Sequence, residues 1–302
     1  MNLPGTCPTC GHPRPDRYCG NCGERAITPD ELSLKRFLRS LGEEIVPGFE
    51  ADEGGSGVKR AGGRAYRTVY TLFRFPGRLS ADYIAGRRRP YLKPVQVYLT
   101  IAVVFFILGT NYFQYSLGDF EYVVGVGDTQ TMIEQEAARR DLTVEAYERL
   151  FNRRLVVQKK TMIAVLIPLF ALGMVPLIPR RRYGEHLIFS IHAFAFLLLF
   201  LGVILKAFFY VVFVILNAVR NVNPELVSTI GAALDNEFIF VSMIYVAYLL
   251  YLRAALHVVY GGKYITALFR GIALTAIHAF LIVFVFRQGL FFTTFYSLKW
   301  FN

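Results

Sequence analysis

Every cysteine in this chain belongs to one motif, C-x-x-C-G, which occurs twice near the N-terminus. The members are Cys7, Cys10 and Gly11 in the first copy and Cys19, Cys22 and Gly23 in the second. A two-residue gap lets both sulfurs of a pair face one ion, and four thiolates complete the tetrahedron that zinc prefers. The glycines can adopt the positive φ of a tight turn whose N–H groups point at the thiolates. We predict a structural zinc site in a ribbon over residues 1–27, with no coordination position open for catalysis.

Two other interpretations of the cysteines are considered. Two disulfides would need an oxidising compartment, and a reducing cytosol disfavours them. An iron site of the rubredoxin type stays open, because four tetrahedral thiolates suit either metal. His12 lies between the two pairs, but the tetrahedron is complete without it, so we interpret it as a solvated turn residue.

The rest of the chain has the composition of a membrane protein. Of its 302 residues 54% are hydrophobic, and the mean hydropathy is +0.40, well above the average for soluble domains. After Pro94 the apolar residues form runs long enough to cross a hydrocarbon layer roughly 30 Å thick. The predicted spans are residues 95–113, 161–178, 187–208, 238–253 and 270–287. The sequence therefore predicts an all-α polytopic membrane bundle over residues 95–302, with four or six spans as alternatives to five.

The arginines before the first span set the predicted orientation. Arg87, Arg88, Arg89 and Lys93 place the N-terminus in the cytoplasm by the positive-inside rule, where the four thiols would stay reduced. Residues 114–160 are then an extramembrane loop on the outer side, although the basic residues next to the second span favour the cytoplasm. The aromatic tail 289–301 is too short to cross again and is predicted to lie at the interface.

A basic connector, residues 28–94, joins the ribbon to the spans. An amphipathic helix is predicted from Thr28 to Ile45, and its apolar face could lie on the inner leaflet or pack against the rest of the N-terminal region. A flexible glycine-rich break over 50–63 and a second basic amphipathic segment over 64–75 follow it at the inner leaflet. The residues predicted to contact anionic lipid headgroups are Arg78, Arg87, Arg88, Arg89 and Lys93. The net charge of +11 is explained in the same way, so no nucleic-acid partner is expected.

Ionisable residues within spans are costly and suggest function by default. The residues in or at the ends of spans are His186, His192, Lys206, Arg253, His257 and His278. His192 and His278 fall at similar predicted depths and could form a second metal site or a proton relay. Interhelical hydrogen bonds are the favoured interpretation, because no metal-binding or paired-carboxylate spacing accompanies them.

Two motifs before the first span resemble those of a known family. They are Leu72-Phe-Arg-Phe-Pro76-Gly77 and Tyr83-Ile-x-Gly86-x-Arg88-x-x-Tyr91-x-x-Pro94. Together with the double ribbon motif they make residues 7 to 110 similar to the zinc-ribbon membrane proteins of the domain-of-unknown-function family 3667. The resemblance implies a multi-pass protein of the bacterial inner membrane with an N-terminal ribbon, and it carries over no activity.

The predicted function is a non-enzymatic scaffold or regulator whose cytoplasmic ribbon docks a protein partner while the helices sit in lipid. One alternative is a small transporter or lipid-handling protein, suggested by Pro168 and Pro176 in the second span and by Lys206 in an over-long third span. The other alternative is a membrane-embedded metalloenzyme that uses the span histidines.

Overall fold

The computed structural model describes residues 5–26, 56–109, 120–124, 128–220, 223–234 and 236–301. The amphipathic helix predicted from Thr28 to Ile45 lies outside these ranges.

The architecture is a helical membrane-type protein with a small cysteine-rich region at its N-terminus, which confirms the predicted fold class. The ribbon contains the antiparallel strands β1 (Gly5–Thr6) and β2 (Pro13–Arg14). Within the described ranges the helices are α1 (Ser56–Arg74), α2 (Arg78–Ile84), α3 (Pro94–Gly109), α4 (Phe120–Val124), α5 (Thr129–Arg139), α6 (Val144–Leu177), α7 (Tyr183–Leu199), α8 (Leu205–Val219), α9 (Pro224–Leu234), α10 (Glu237–Tyr260), α11 (Tyr264–Phe280) and α12 (Arg287–Phe301). The π-helical segments Phe200–Ile204 and Leu281–Phe286 join α7 to α8 and α11 to α12.

Four helical stretches among the described residues are long and apolar enough to cross a membrane. They are Val144–Leu177, Tyr183–Val219, Phe238–Tyr260 and Tyr264–Trp300. The predicted first span corresponds to α3, whose apolar part, Pro94–Ile107, is shorter than these. By length and composition the chain is a multi-pass membrane protein.

Two helices extend further than the predicted spans. Residues 144–160 were predicted as part of an extramembrane loop, and they form the first half of α6. The predicted interfacial tail, 289–301, lies in α12. Which side of the membrane each segment faces stays a prediction.

α1 begins inside the stretch 50–63 that the sequence predicts as a flexible break. Residues 56–63 are helical instead. A glycine in a helix lowers the stability of the helix by about 1 kcal/mol relative to alanine. Packing of other residues of the same helix can offset this loss. Here Thr68 and Leu72 are buried and supply that packing.

The chain divides into two compact units, of which the first comprises Met1–Thr110 and Met174–Thr275. Its core is α7, in which every residue from Gly184 to Leu198 is buried. Protein therefore covers this stretch on all sides. α3 packs along α7 and its π-helical extension, where a Cβ on Gly202 would come within 2.8 Å of the Phe105 ring.

The turn between α1 and α2 lies in close contact with α10 at Gly77. Gly77 has a φ of 81°, which L-residues with a side chain rarely adopt. A Cβ there would lie 2.5 Å from the carbonyl oxygen of Ala255. Both the conformation and the contact therefore require glycine at this position.

The second unit comprises Asn111–Gly173 and Ala276–Asn302. An aromatic cluster forms its core, with ring centroids 5.6 Å apart for Phe120 and Phe151 and 6.0 Å apart for Phe151 and Phe291. The Arg140 guanidinium donates to the Leu298 carbonyl at 2.6 Å and thereby ties α5 to α12.

Arg140 is held in place by a buried carboxylate. Its Nε donates to Glu136 at 2.8 Å, and Arg139 donates to the same carboxylate. Hydrogen bonds from Arg139 and then Arg140 lower the pKa of Glu136 to about 2 despite its burial, so the carboxylate stays ionised.

We predict that Gly77→Ala destabilises the protein by about 2–4 kcal/mol, because it combines an unfavourable φ with a backbone clash. The matched control is Gly62→Ala in α1, where no atom lies within 4 Å of an added Cβ. That change should stabilise by about 0.5–1 kcal/mol. Thermal unfolding of both variants in one detergent measures the difference, and equal midpoints would contradict the tight approach of α2 to α10.

Candidate metal centre

The two C-x-x-C-G copies fold into the same turn. In the first, the Cys7 N–H donates to the His12 carbonyl at 2.8 Å and the Gly11 N–H donates to the Cys7 carbonyl at 2.9 Å. In the second, the equivalent bonds join Cys19 to Glu24 at 2.9 Å and Gly23 to Cys19 at 2.7 Å. Gly11 and Gly23 have φ values of 73° and 68°. The repeated motif therefore has one local structure, as its glycines predict.

The two turns bring all four sulfurs to one point. The Sγ atoms of Cys7 and Cys22 are 3.5 Å apart, and those of Cys10 and Cys19 are 3.6 Å apart. All four lie within 4.8 Å of one another. A tetrahedron with metal–sulfur bonds of about 2.3 Å has edges of roughly 3.8 Å, so these residues fit a metal ion. The four cysteines are free.

The environment of the sulfurs favours thiolates at some positions and opposes them at others. Backbone N–H groups lower the pKa of Cys19 to about 6, chiefly through the N–H of Cys22, and the backbone at His12 lowers the pKa of Cys10. Burial raises the pKa of Cys22 to about 12. Four thiolates this close repel one another unless a cation lies between them. A bound metal ion would supply that positive charge and ionise the remaining thiols.

A buried carboxylate next to the second turn joins the ribbon to the segment that precedes α3. One oxygen of Glu24 accepts a hydrogen bond from Thr9 Oγ1 at 2.7 Å. The same oxygen accepts from the backbone N–H groups of Arg88 at 3.2 Å and Arg89 at 3.0 Å. A Cβ on Gly23 would overlap the Arg89 guanidinium, so glycine lets that side chain lie against the ribbon. We call residues 85–93 the juxtamembrane turn, and Glu24 holds it to the ribbon.

Asp82, the second buried carboxylate of this region, also holds the juxtamembrane turn. It accepts from the Arg87 guanidinium and from Tyr91 Oη, the latter at 2.8 Å. Burial, followed by the bond to Asp82, raises the pKa of Tyr91, so this hydroxyl keeps its proton and acts as the donor.

Two further residues, Thr68 and Arg88, help to hold the juxtamembrane turn in place. Thr68 Oγ1 in α1 donates to the Arg64 carbonyl and accepts from the Leu92 N–H at 3.0 Å. Arg88 donates from Nε to the Tyr83 carbonyl and places its guanidinium 4.4 Å from the centroid of the Tyr83 ring. The residues of the motif that begins at Tyr83 thus cross-link α1, α2 and the start of α3.

Residues 63–106 match the family model described as "Protein of unknown function (DUF3667)". Over these residues the chain is similar to that family. The match confirms the resemblance drawn from the two motifs, and it covers α1 from residue 63, α2, the juxtamembrane turn and most of α3. The ribbon lies outside it, so a ribbon as a property of the family stays a prediction. No curated protein and no solved structure matches the chain.

Three of the arginines predicted to contact headgroups are engaged by protein groups. Arg87 pairs with Asp82, Arg88 lies on Tyr83, and Arg89 lies against Gly23. Arg78 lies 5.8 Å from the centroid of the Phe75 ring and is 63% exposed. Lys93 is exposed at the start of α3, with its N–H donating to Gln96.

Two of the predicted span histidines contact hydroxyl groups on other elements of the first unit. His192 Nδ1 lies 2.9 Å from Ser80 Oγ in α2, and both residues are buried. His186 Nδ1 lies 3.0 Å from Tyr260 Oη at the end of α10. Each histidine thus connects α7 to a neighbouring element.

The other predicted polar residues are dispersed. His257 stacks on Tyr264 with centroids 4.0 Å apart, and Arg253 lies over the same ring at 5.5 Å. Lys206 lies in α8, and His278, in the second unit, contacts the Phe170 ring. Among the described residues, the cysteines form the one group of three or more side chains that could hold a metal ion.

Sequence reasoning did not single out Glu24, Asp82 or Thr68 as positioning residues. Glu24 had a local clue, since it directly follows the second C-x-x-C-G turn and is the first carboxylate in the chain after Asp16. Its partners at Arg88 and Arg89 are 64 and 65 residues away, and no local pattern reveals them.

We predict that Cys7→Ser lowers the metal content of the purified protein from about one ion per chain toward zero, because a hydroxyl is a poor replacement for a thiolate ligand. His12→Ser is the matched control, since His12 is exposed and lies in the same ribbon. Elemental analysis measures both. An equal loss in the His12 variant would show that the site is not the four-thiol centre.

We predict that Glu24→Gln loosens the juxtamembrane turn without emptying the metal site. The neutral amide accepts the same N–H groups more weakly, by about 1 kcal/mol, so the amides of Arg88 and Arg89 should exchange about fivefold faster. Hydrogen exchange of residues 86–92 and metal content are the measurements. Asp16→Asn, an exposed carboxylate of the ribbon, is the control, and unchanged exchange in the Glu24 variant would contradict the assignment.

Proposed function

We propose that this membrane protein is a non-enzymatic scaffold or regulator whose metal-folded ribbon presents a docking surface for a protein partner. The observation that carries the proposal is the closed four-thiol centre joined to the membrane domain through Glu24. Four protein ligands leave no position for water or substrate, so the centre supports structure rather than hydrolysis.

The ion we assign to this centre is zinc. Four thiolates in tetrahedral arrangement suit zinc or iron, and zinc is the usual ion of C-x-x-C ribbons. A position in the bacterial inner membrane with the ribbon in the cytoplasm agrees with this assignment, because reduced thiols bind zinc.

The docking surface we propose is centred on Tyr18. Its side chain is 57% exposed and therefore accessible to a partner. The backbone beneath it is ordered by a bridge between Tyr18 and Arg25 and by the Ala26 N–H, which donates to the Arg17 carbonyl at 2.7 Å. Tyr18 directly follows the exposed Arg17, and tyrosine and arginine are among the residue types that dominate protein interfaces.

Glu24 would hold this docking surface in a fixed position on the membrane domain. Because the ribbon is bonded to the juxtamembrane turn, a partner bound at Tyr18 would contact a rigid projection of the membrane domain. A pre-organised surface loses less entropy on binding than a tethered one.

The two alternative functions have less support. The metalloenzyme requires the span histidines to gather around an ion, and His186 and His192 instead contact Tyr260 and Ser80. The transporter was suggested by a proline-broken second span, and α6 remains helical from Val144 to Leu177 through both prolines.

We predict that Tyr18→Ser reduces partner recovery about tenfold or more, as expected for an interface anchor, while metal content stays unchanged. Tyr66→Ser, which removes an exposed tyrosine outside the ribbon, should leave recovery unchanged. Quantitative mass spectrometry after crosslinking in cells measures both. The same crosslinked proteins at the same yield from wild type, Tyr18→Ser and Cys7→Ser would overturn the proposed docking function.

A further inference from the structure

α1 has two faces of opposite character. Thr68 and Leu72 on one face are buried within the first unit. On the other face the side chains of Tyr66 and Tyr70 are 73% and 49% exposed, and the neighbouring Arg67 and Arg74 are exposed as well. The spacing of these exposed residues places them along one side of the helix.

The exposed face is an ordered ladder of aromatic and basic side chains. The rings of Tyr66 and Tyr70 are stacked with centroids 6.0 Å apart, and Phe75 meets Tyr70 edge-on at 6.1 Å. The guanidinium groups of Arg74 and Arg78 lie 5.4 Å and 5.8 Å from the Phe75 centroid. We call Tyr66, Tyr70, Arg74, Phe75 and Arg78 the aromatic-basic ladder.

The positive charge of the ladder has few acidic neighbours among the described residues. From Gly54 to Ala81 the sequence contains no Asp or Glu. Within the described part of the chain, Arg74 has no carboxylate partner, and Arg78 lies 3.9 Å from Asp82. Asp82 already accepts from Arg87 and Tyr91, so the ladder suits an external anion.

Contacts with α7 place the ladder beside an apolar helix. Phe73, between Tyr70 and Arg74 in sequence, stacks on Phe196 with centroids 6.3 Å apart. Ser80 in α2 lies 2.9 Å from His192 Nδ1. Phe196 and His192 both belong to the membrane-spanning candidate Tyr183–Val219. Exposed aromatic rings next to such a helix are typical of the membrane–water interface, and arginines among them are typical of contact with headgroups.

We propose that the aromatic-basic ladder binds the headgroups of anionic phospholipids. The rings lie among the upper acyl chains and glycerol groups, and Arg74 and Arg78 contact the phosphates. This surface differs from the run Arg87–Arg89, whose side chains contact Asp82, Tyr83 and Gly23. The inference goes beyond the docking function of the ribbon and does not depend on it.

The test measures the lipid retained by the full chain. Protein in detergent is exchanged with mixed micelles of phosphatidylglycerol and phosphatidylcholine, and native mass spectrometry gives the ratio of the two lipids bound. Wild type is expected to retain phosphatidylglycerol selectively. Arg74→Gln with Arg78→Gln should lower that selectivity by about fivefold for each arginine removed, and Arg74→Lys with Arg78→Lys should retain most of it.

Matched variants distinguish lipid binding at the ladder from attraction of lipid to the overall charge of the protein. Arg17→Gln with Arg25→Gln removes the same charge from the ribbon and should leave the lipid ratio unchanged. Tyr66→Ser with Tyr70→Ser should lower total lipid retention without a change in charge. Metal content and the thermal midpoint confirm that each variant is folded. An unchanged ratio in folded Arg74→Gln/Arg78→Gln, or an equal loss in the ribbon variant, would overturn the proposal.

Discussion

The carboxylate of Glu24 joins the four-cysteine cluster to the membrane domain. It directly follows the turn that presents Cys19 and Cys22, so an ion held by those sulfurs would also determine where the carboxylate lies. Its oxygen accepts from two adjacent backbone N–H groups of the juxtamembrane turn. Each of those groups would cost about 1–3 kcal/mol if it were buried without a partner. Metal binding in the ribbon would therefore be linked to order in the turn through one side chain.

Hydrogen bonds to buried side-chain oxygens recur along the segment that matches the DUF3667 family. Asp82 holds Arg87 and Tyr91, Thr68 holds the Leu92 N–H, and Ser80 meets His192. Each pairs a buried side-chain oxygen with a group on another element, and in apolar surroundings such bonds are strong when satisfied and costly when broken. Gly77 adds a close backbone approach to α10. Residues 63–106 therefore form a cross-linked corner at the start of the membrane domain rather than a simple linker.

Basic residues near this corner have two distinct environments. Arg87, Arg88 and Arg89 are consecutive in sequence, yet their side chains lie on a carboxylate, a tyrosine ring and a glycine of the ribbon. The guanidinium groups of Arg74 and Arg78 lie near the ring of the exposed Phe75. Charge density along the sequence predicts attraction to anionic lipid. Which cations remain available to the lipid depends on the carboxylates and rings that the fold brings to them.

The sequence by itself determined the features that depend on short range. The C-x-x-C-G copies specify the two turns that carry the four sulfurs, because each pair and its glycine lie in one turn. The apolar runs specify helices, because a helix satisfies its own backbone groups within lipid. Only the tertiary structure decided which distant residues pair, namely Glu24 with Arg88 and Arg89, and Ser80 with His192. It also decided that α7 is buried on all sides. These contacts join residues 64 to 112 positions apart, and such distances become short only after the helices have packed.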